Sequence, residues 1–365
     1  MLSLIKPKFH TMNFESLFTP FQYKSLNLKN RFVMAPMTRA FSPDGVPTQE
    51  VAEYYSRRAA AGVGLILTEG TVIGRPASKN MKDIPDFYGN DALNGWNRVV
   101  NGVHAEGGAI APQIWHVGNT VAGEWRPSAP LESPETMTLK DIEDTIAAFA
   151  SAAKNAKDLG FDALEIHAAH GYLIDQFFWE GTNSRTDDYG GKGIKERARF
   201  GVEVVKAIRR AVGDDFTVIM RLSQWKQQDY TVKLAHNPKE LEDWVLPLAE
   251  AGVDIFHGSQ RRYWENEFDG SDLNFAGWLK KVTGKPTITV GSVGLSGDFM
   301  EFFGEGKGAD TTDLSELLRR YERGDFDLVA VGRSLLQDPE WVQKVKENRF
   351  DELKSFSPSS AGKLY

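Results

Sequence analysis

Apolar residues in this chain gather in short unbroken runs instead of alternating with polar ones. Eight such runs cover residues 31–37, 64–69, 110–116, 162–167, 217–223, 253–258, 287–291 and 327–332. Most are rich in Val, Ile and Leu and bounded by Gly, Pro, Asp or Asn, the pattern of strands buried on both faces. Between them the period becomes helical. Residues 139–159 are the clearest case: Thr138 can cap the helix with Asp141 three residues on, Ile142, Ile146, Phe149 and Ala153 line one face, and Gly160 ends it. Residues 196–212, with Val202, Val205 and Ile208 as face and Gly213 as stop, give another helix, and residues 48–61, 91–105, 238–251 and 311–323 supply more.

Strands that each lead into helical sequence imply a parallel sheet with right-handed crossovers. Eight units of roughly 40–45 residues predict an α/β chain folded as a single (β/α)8 TIM barrel with loop insertions at its C-terminal face. The barrel is expected over residues 14–349, with an N-terminal extension (1–13) and a C-terminal tail (350–365). Residues 1–11 read as a mis-assigned start or a loose extension ahead of Met12. A doubly wound sheet is the alternative, but it would want a G-x-G-x-x-G turn after an early strand, and none is present.

Composition narrows the function. The 365 residues are 41% hydrophobic and 25% charged, ordinary for a globular protein, and the mean hydropathy is −0.38. No stretch approaches the roughly 20 apolar residues of a membrane helix. A net charge of −7 gives no basic footprint for nucleic acid. The absence of cysteine excludes a disulfide framework, a thiolate zinc site and a cysteine nucleophile together. The expectation is a cytoplasmic enzyme, monomer or homodimer, acting on small molecules without nucleic-acid or membrane partners.

In such a barrel the chemistry belongs where strands run out into loops. His167 and His170 end the fourth strand. Three apart on a regular strand they would face opposite ways, so they share a site only if His170 lies in the loop beyond. Together they could donate to one ligand oxygen; each alone is as readily a structural histidine. No third ligand stands nearby, so no metal is expected. Arg221 in an apolar strand needs an anion, either a protein carboxylate or a ligand. Gln113 carries the same ambiguity. Gly291 to Gly294 and Gly332-Arg333, after strands seven and eight, have the placement of a barrel phosphate site. Tyr172 is a neutral proton donor if it faces a pocket, and a half-buried aromatic if not.

These residues resemble the old yellow enzymes, FMN-dependent ene-reductases of the NADH:flavin oxidoreductase group. The resemblance spans about Phe14 to Arg349 and rests on RFVMAPMTR, EYYSRRAAAGVGLILTEGT, PQIWHVG, EIHAAHGYLIDQFFWEGTNSRTDDYGG and AVGRSLLQDPEW. It implies non-covalent FMN, NADPH or NADH as reductant, and ping-pong reduction of the C=C bond in α,β-unsaturated carbonyl, maleimide or nitro compounds. It places Pro36, Met37, Thr38 and Gly70 against the flavin, Gln113 at its pyrimidine ring and Arg221 at N1 and O2. Gly291, Ser292, Val293, Gly332 and Arg333 would hold the phosphate. His167 and His170 would bind the substrate oxygen, and Tyr172 would protonate Cα as hydride passes from flavin N5 to Cβ. Trp115, Trp225, Tyr263 and Trp264 are candidates for the mouth, or for packing. Thr38 assigns the chain to the branch lacking the active-site Cys, although the loop over residues 117–138 is shorter than that branch's capping segment, which implies a more open pocket. Two other readings stand beside it: a flavin-free sugar-phosphate barrel, and a flavin-binding protein without turnover.

Overall fold

Each of the eight apolar runs becomes a strand, and the strands close on one another. The structure, a computed structural model, describes residues 13–365, so the expected extension over residues 1–13 lies outside it except for Asn13. A hairpin comes first, β1 (Phe21–Tyr23) and β2 (Leu26–Leu28), paired antiparallel. Then follow β3 (Phe32–Met34), β4 (Leu65–Val72), β5 (Ala109–Trp115), β6 (Ala163–His170), β7 (Thr217–Lys226), β8 (Ile255–Ser259), β9 (Thr287–Val290) and β10 (Leu328–Val331). β3 to β10 pair in parallel in chain order, and β10 returns to β3 to close the barrel.

The helices surround it: α1 (Gln49–Ala60), α2 (Asn90–Ala105), α3 (Leu139–Asp158), α4 (Leu173–Phe178), α5 (Ile194–Arg197), α6 (Arg199–Val212), α7 (Pro238–Ala251), α8 (Phe275–Thr283), α9 (Phe299–Glu305), α10 (Ser315–Arg323), α11 (Arg333–Gln337) and α12 (Trp341–Lys346). α3 starts as its sequence dictates, with Thr138 and Asp141 in a reciprocal capping box. Thr145, Ala152 and Ala156 join its buried face, and Ile146 is only half-buried. The helix expected at 196–212 is broken at Ala198 into α5 and α6. The one expected at 311–323 starts at Ser315, because Thr311 is drawn into a bridge with Leu295.

Two apolar layers hold the barrel. Val33, Leu65, Ala109, Ala163, Ile219, Ile255, Ile288 and Leu328 fill its interior near the strand starts, and a larger layer lies between strands and helices. The hairpin, absent from the sequence expectations, stoppers the strand-start end with Phe21, Leu26 and Leu28. Leu26 and Leu28 are at most 1% exposed. Each contributes about 1.5–3 kcal/mol by burial. Ser25 fixes the stopper, donating from its hydroxyl to the carbonyl of Asp162 (2.7 Å) and from its N–H to that of Asp215 (3.0 Å). The opposite end is left for function.

Candidate active site

β6 and β7 part from regular pairing beside the two candidate histidines. Ala168 pairs with Leu222 and His170 with Lys226, so four steps along β7 match two along β6. His170 lies inside the strand, not in the loop beyond it, and the displaced register, with φ of 65° at His170, turns it to the side of His167. The two rings stand 5.1 Å apart and nearly perpendicular. Left-handed backbone at a non-glycine residue costs roughly 1–3 kcal/mol. It is held by Ser223 Oγ, which accepts the His170 N–H at 2.9 Å, and by Asp175, which accepts the Gly171 N–H at 2.6 Å. Asp175 in turn pairs with Lys226 at 2.8 Å, both side chains fully buried.

Tyr172 and Trp115 complete an aromatic cluster. Tyr172 packs edge-on against His167 at 5.0 Å and Trp115 at 4.7 Å, and Trp115 stacks on His167 at 5.7 Å. Gly70 makes room for this: a Cβ there would sit 2.4 Å from the Trp115 ring. Burial and the neighbouring Arg221 hold both imidazoles well below their ordinary pKa, so they are neutral at pH 7. The His167 Nδ1 accepts the Ala169 N–H at 3.4 Å, which leaves Nε2–H free to donate. His170 Nε2 lies 2.7 Å from Ser259 Oγ, so its other nitrogen is the one open to a ligand. Burial pushes Tyr172 up to about 12, which keeps its phenol protonated.

Arg221 sits deep in the barrel with little to neutralise it. Among the described residues its Nη2 donates only to Ser259 Oγ at 3.3 Å, and its Nε has no partner. The one carboxylate whose charge acts on it, Glu165, is already engaged, accepting from Gln113 Nε2 at 2.8 Å and His257 Nδ1 at 2.6 Å. Of the two readings open for Arg221, the described residues bring no carboxylate into contact with it, and a buried guanidinium so placed fits an anionic ligand edge. Gln113 has its structural bond and still lies beside Gly70 in the β4–β5 ladder.

The β3 loop and the two glycine loops converge across the β3–β10–β9 side. Pro36 is buried, Met37 half-buried and Thr38 exposed at the mouth. Glu69 pins this loop by accepting the N–H groups of Arg39 and Ala40, both at 2.8 Å. A Cβ on Gly332 would meet only the Met37 sulfur at 3.6 Å and Ala35 at 3.8 Å, so open space lies above it. Gly291 admits no side chain, since a Cβ would lie 2.7 Å from the Gln260 carbonyl. Arg333 reaches from the start of α11 to Ser292 Oγ (3.2 Å) and the carbonyls of Gly297 (2.5 Å) and Asp298 (2.9 Å). Val293 is buried beneath. All the expected phosphate residues therefore meet in one place.

Of the other aromatic candidates, Trp225 stacks on His170 at 4.4 Å and belongs to the mouth. Tyr263 and Trp264 do not: Tyr263 is 3% exposed in the core, and the partly buried Trp264 side chain packs against the same core. Sequence reasoning passed over Ser223, Ser259, Gln227 and the Asp175–Lys226 pair. The mostly polar residues that end β7, Ser223-Gln224-Trp225-Lys226, were the one available signal. The short loop over residues 117–138 is tied down by His116, whose Nε2 lies 2.6 Å from Glu132 Oε2, and by the Arg75–Glu132 ion pair.

A mouth with one uncompensated guanidinium at depth and another among glycine loops suits a cofactor carrying negative charge at both ends. That defines a barrel enzyme of the phosphorylated-cofactor type. The profile of the NADH:flavin oxidoreductase / NADH oxidase family matches residues 16–352, and the chain belongs to that family, the old yellow enzymes. It is 32% identical over 363 residues to 12-oxophytodienoate reductase 7 of Oryza sativa subsp. japonica, covering 91% of this chain and 88% of the relative. It is 33% identical to the NADH oxidase of Thermoanaerobacter brockii over 94% of this chain, although the match spans only 52% of that longer protein. The fold is similar to that of morphinone reductase in complex with tetrahydroNAD, with a TM-score of 0.77, 28% identity, and 95% and 94% of the two chains covered. The protein is an NAD(P)H-linked, FMN-dependent oxidoreductase. Among the described residues no helix is long and apolar enough to cross a membrane.

Proposed function

We propose that residues 14–349 form an ene-reductase unit that reduces the C=C bond of α,β-unsaturated carbonyl, maleimide or nitro compounds by a ping-pong mechanism. The observation that carries the reading is the packing of His167, His170 and Tyr172 within 5.1 Å of one another at the mouth. FMN, when bound, supplies the hydride that it has taken from the nicotinamide. Non-covalent binding draws on Pro36, Met37, Thr38, Gly70 and Gln113 around the ring and on Gly291, Ser292, Val293, Gly332 and Arg333 at the phosphate. Arg221 would offer its unpartnered Nε to the ring edge that becomes negative. The two neutral imidazoles donate to the substrate's carbonyl or nitro oxygen, where charge builds as the double bond is reduced. Trp115, stacked on His167, shapes the wall of the substrate site and keeps water from that ring. Tyr172 then delivers the proton to Cα; a phenol held at about 12 parts with it only as the carbon gains charge.

The flavin-free sugar-phosphate reading does not survive. Family membership excludes it, and the acid–base groups it needs are committed elsewhere, Glu165 to Gln113 and His257, and Lys226 to Asp175. The test is a titration of the purified yellow protein with a para-substituted phenol. A new long-wavelength charge-transfer band is expected, lost in His167→Ala and His170→Ala while FMN stays bound. Loss of FMN in those variants would make the histidines structural and overturn the assignment.

A further inference from the structure

The end of β7 and the residues after it embrace the turn that carries the active-site groups. Ser223 accepts the His170 N–H, Trp225 stacks on the His170 ring, and Lys226 pairs with Asp175. Gln228 Nε2 donates to the Gly171 carbonyl at 3.1 Å. Between them Gln227 is fixed by its own backbone, its N–H donating to the His170 carbonyl at 3.3 Å. Its side-chain amide donates from Nε2 to the Tyr172 phenol oxygen at 2.8 Å, the one hydrogen bond that phenol makes among the described residues.

The geometry points to Gln227 as a positioning residue for protonation of the alkene, aiming the Tyr172 O–H and stabilising the oxygen it leaves behind. The inference rests on the reading of Tyr172 as the proton donor. A phenol has one proton and can accept on its remaining lone pairs. With an amide N–H occupying one side of the oxygen, the O–H turns to the open side, away from Gln227. In the step itself the Tyr172 O–H bond breaks and a C–H bond forms at Cα. The O–H pair stays on the phenol oxygen, the C=C π pair, released toward Cα as Cβ takes the hydride, forms the new C–H bond, and solvent later returns the proton to Tyr172. The same amide then donates to a phenolate, and bonds to charged acceptors are roughly twice as strong as neutral ones. The other groups around the phenol do not share this task. Tyr230 opposes ionisation, Arg221 favours it from a distance, His167 and His170 are neutral, and Lys226 is spent on Asp175.

The experiment uses FMN-loaded wild type, Gln227→Leu, Gln227→Glu, Tyr172→Phe and the Tyr172→Phe/Gln227→Leu double variant in rapid-mixing assays. Flavin reduction by NADPH, and reoxidation by a quinone that forms no C–H bond, should stay within about twofold of wild type in Gln227→Leu. Reoxidation by 2-cyclohexenone should slow about tenfold, the scale of one hydrogen bond made in the transition state. It should slow further in Gln227→Glu, whose carboxylate would take the phenol proton toward itself. In the Tyr172→Phe background Gln227→Leu should add nothing. A readout independent of turnover is 19F NMR of protein containing 3-fluorotyrosine, with the Tyr172 signal assigned by its loss in Tyr172→Phe. Its ionisation constant should be about tenfold smaller in Gln227→Leu than in wild type.

An unchanged alkene step in Gln227→Leu, with Tyr172→Phe slow, would overturn this proposal and leave the proton donor standing. An unchanged alkene step in Tyr172→Phe would remove the donor reading and the proposal with it. Equal slowing of all three reactions in Gln227→Leu would mark Gln227 as structural and overturn the proposal as well.

Discussion

Replacing Lys226 by Met removes one half of a fully buried ion pair and leaves Asp175 facing only the Gly171 N–H. Breaking such a pair from one side costs about 3–5 kcal/mol, because a desolvated charge is left without its partner. At about 2.1 cal/mol/K per residue, the 365 residues give an unfolding entropy of about 0.8 kcal/mol/K, so the expected fall in Tm is about 4–6 °C. The loss depends on pH with a definite sign. Burial already holds Asp175 above the ordinary carboxylate range, with Lys226 opposing, and removal of the cation raises it further. A carboxyl whose folded value exceeds its unfolded one costs stability as pH climbs from the lower value toward the higher. The Tm difference between Lys226→Met and wild type should therefore be smallest toward roughly pH 4 and widen through neutrality. Lys226→Met/Asp175→Asn, which keeps an acceptor for Gly171 and removes the stranded charge, should recover most of the loss. The assay is thermal unfolding followed by circular dichroism between about pH 4 and 8. A Tm change below about 1 °C, or a loss independent of pH, would refute the argument.

Two further expectations concern other buried groups. Arg221→Met should weaken FMN retention roughly 10- to 100-fold, the worth of a charged hydrogen bond, and make the bound flavin harder to reduce; equilibrium dialysis and a redox titration measure both, and unchanged values would leave Arg221 a structural residue. Glu69 is pushed up to about 7 by burial, with its Oε1 unpartnered, so its folded value exceeds its unfolded one and wild-type stability should decline from roughly pH 4.3 to 7. Glu69→Gln should flatten that part of a Tm-against-pH curve, and an identical slope in both proteins would refute the assignment.

The alternation of apolar runs and helical sequence carried the barrel, because strands covered on both faces leave a strong local mark. The candidate site residues were legible for a related reason: His167, His170, Tyr172 and Arg221 are chemically out of place in or just after apolar strands. What joins them was not legible. The pairing of His170 with Ser223 and of Asp175 with Lys226 spans 53 and 51 residues, and no local pattern announces a contact between strands. The rule that residues three apart face opposite sides holds for a regular strand and fails where β7 carries extra residues against β6. The hairpin strands over residues 21–28 are three residues each with a polar residue at the centre, Gln22 and Asn27, so they form no apolar run, which is why they went unseen. Tyr263 and Trp264 were ambiguous because an aromatic near a strand end serves a mouth or a core equally well, and packing against the core decided it.

The hairpin also sets an order of events during synthesis. It is made early, yet the groups that seat it come much later: Thr217, whose hydroxyl donates to the Tyr23 carbonyl, follows 194 residues behind. At 5–20 residues per second a ribosome needs about 10–40 s to cover that stretch. Throughout that interval Phe21, Leu26 and Leu28 have no barrel to enter. The hairpin thus leaves the ribosome well before the strands it plugs, and the nascent chain carries an uncovered apolar plug at least until β7 has been made.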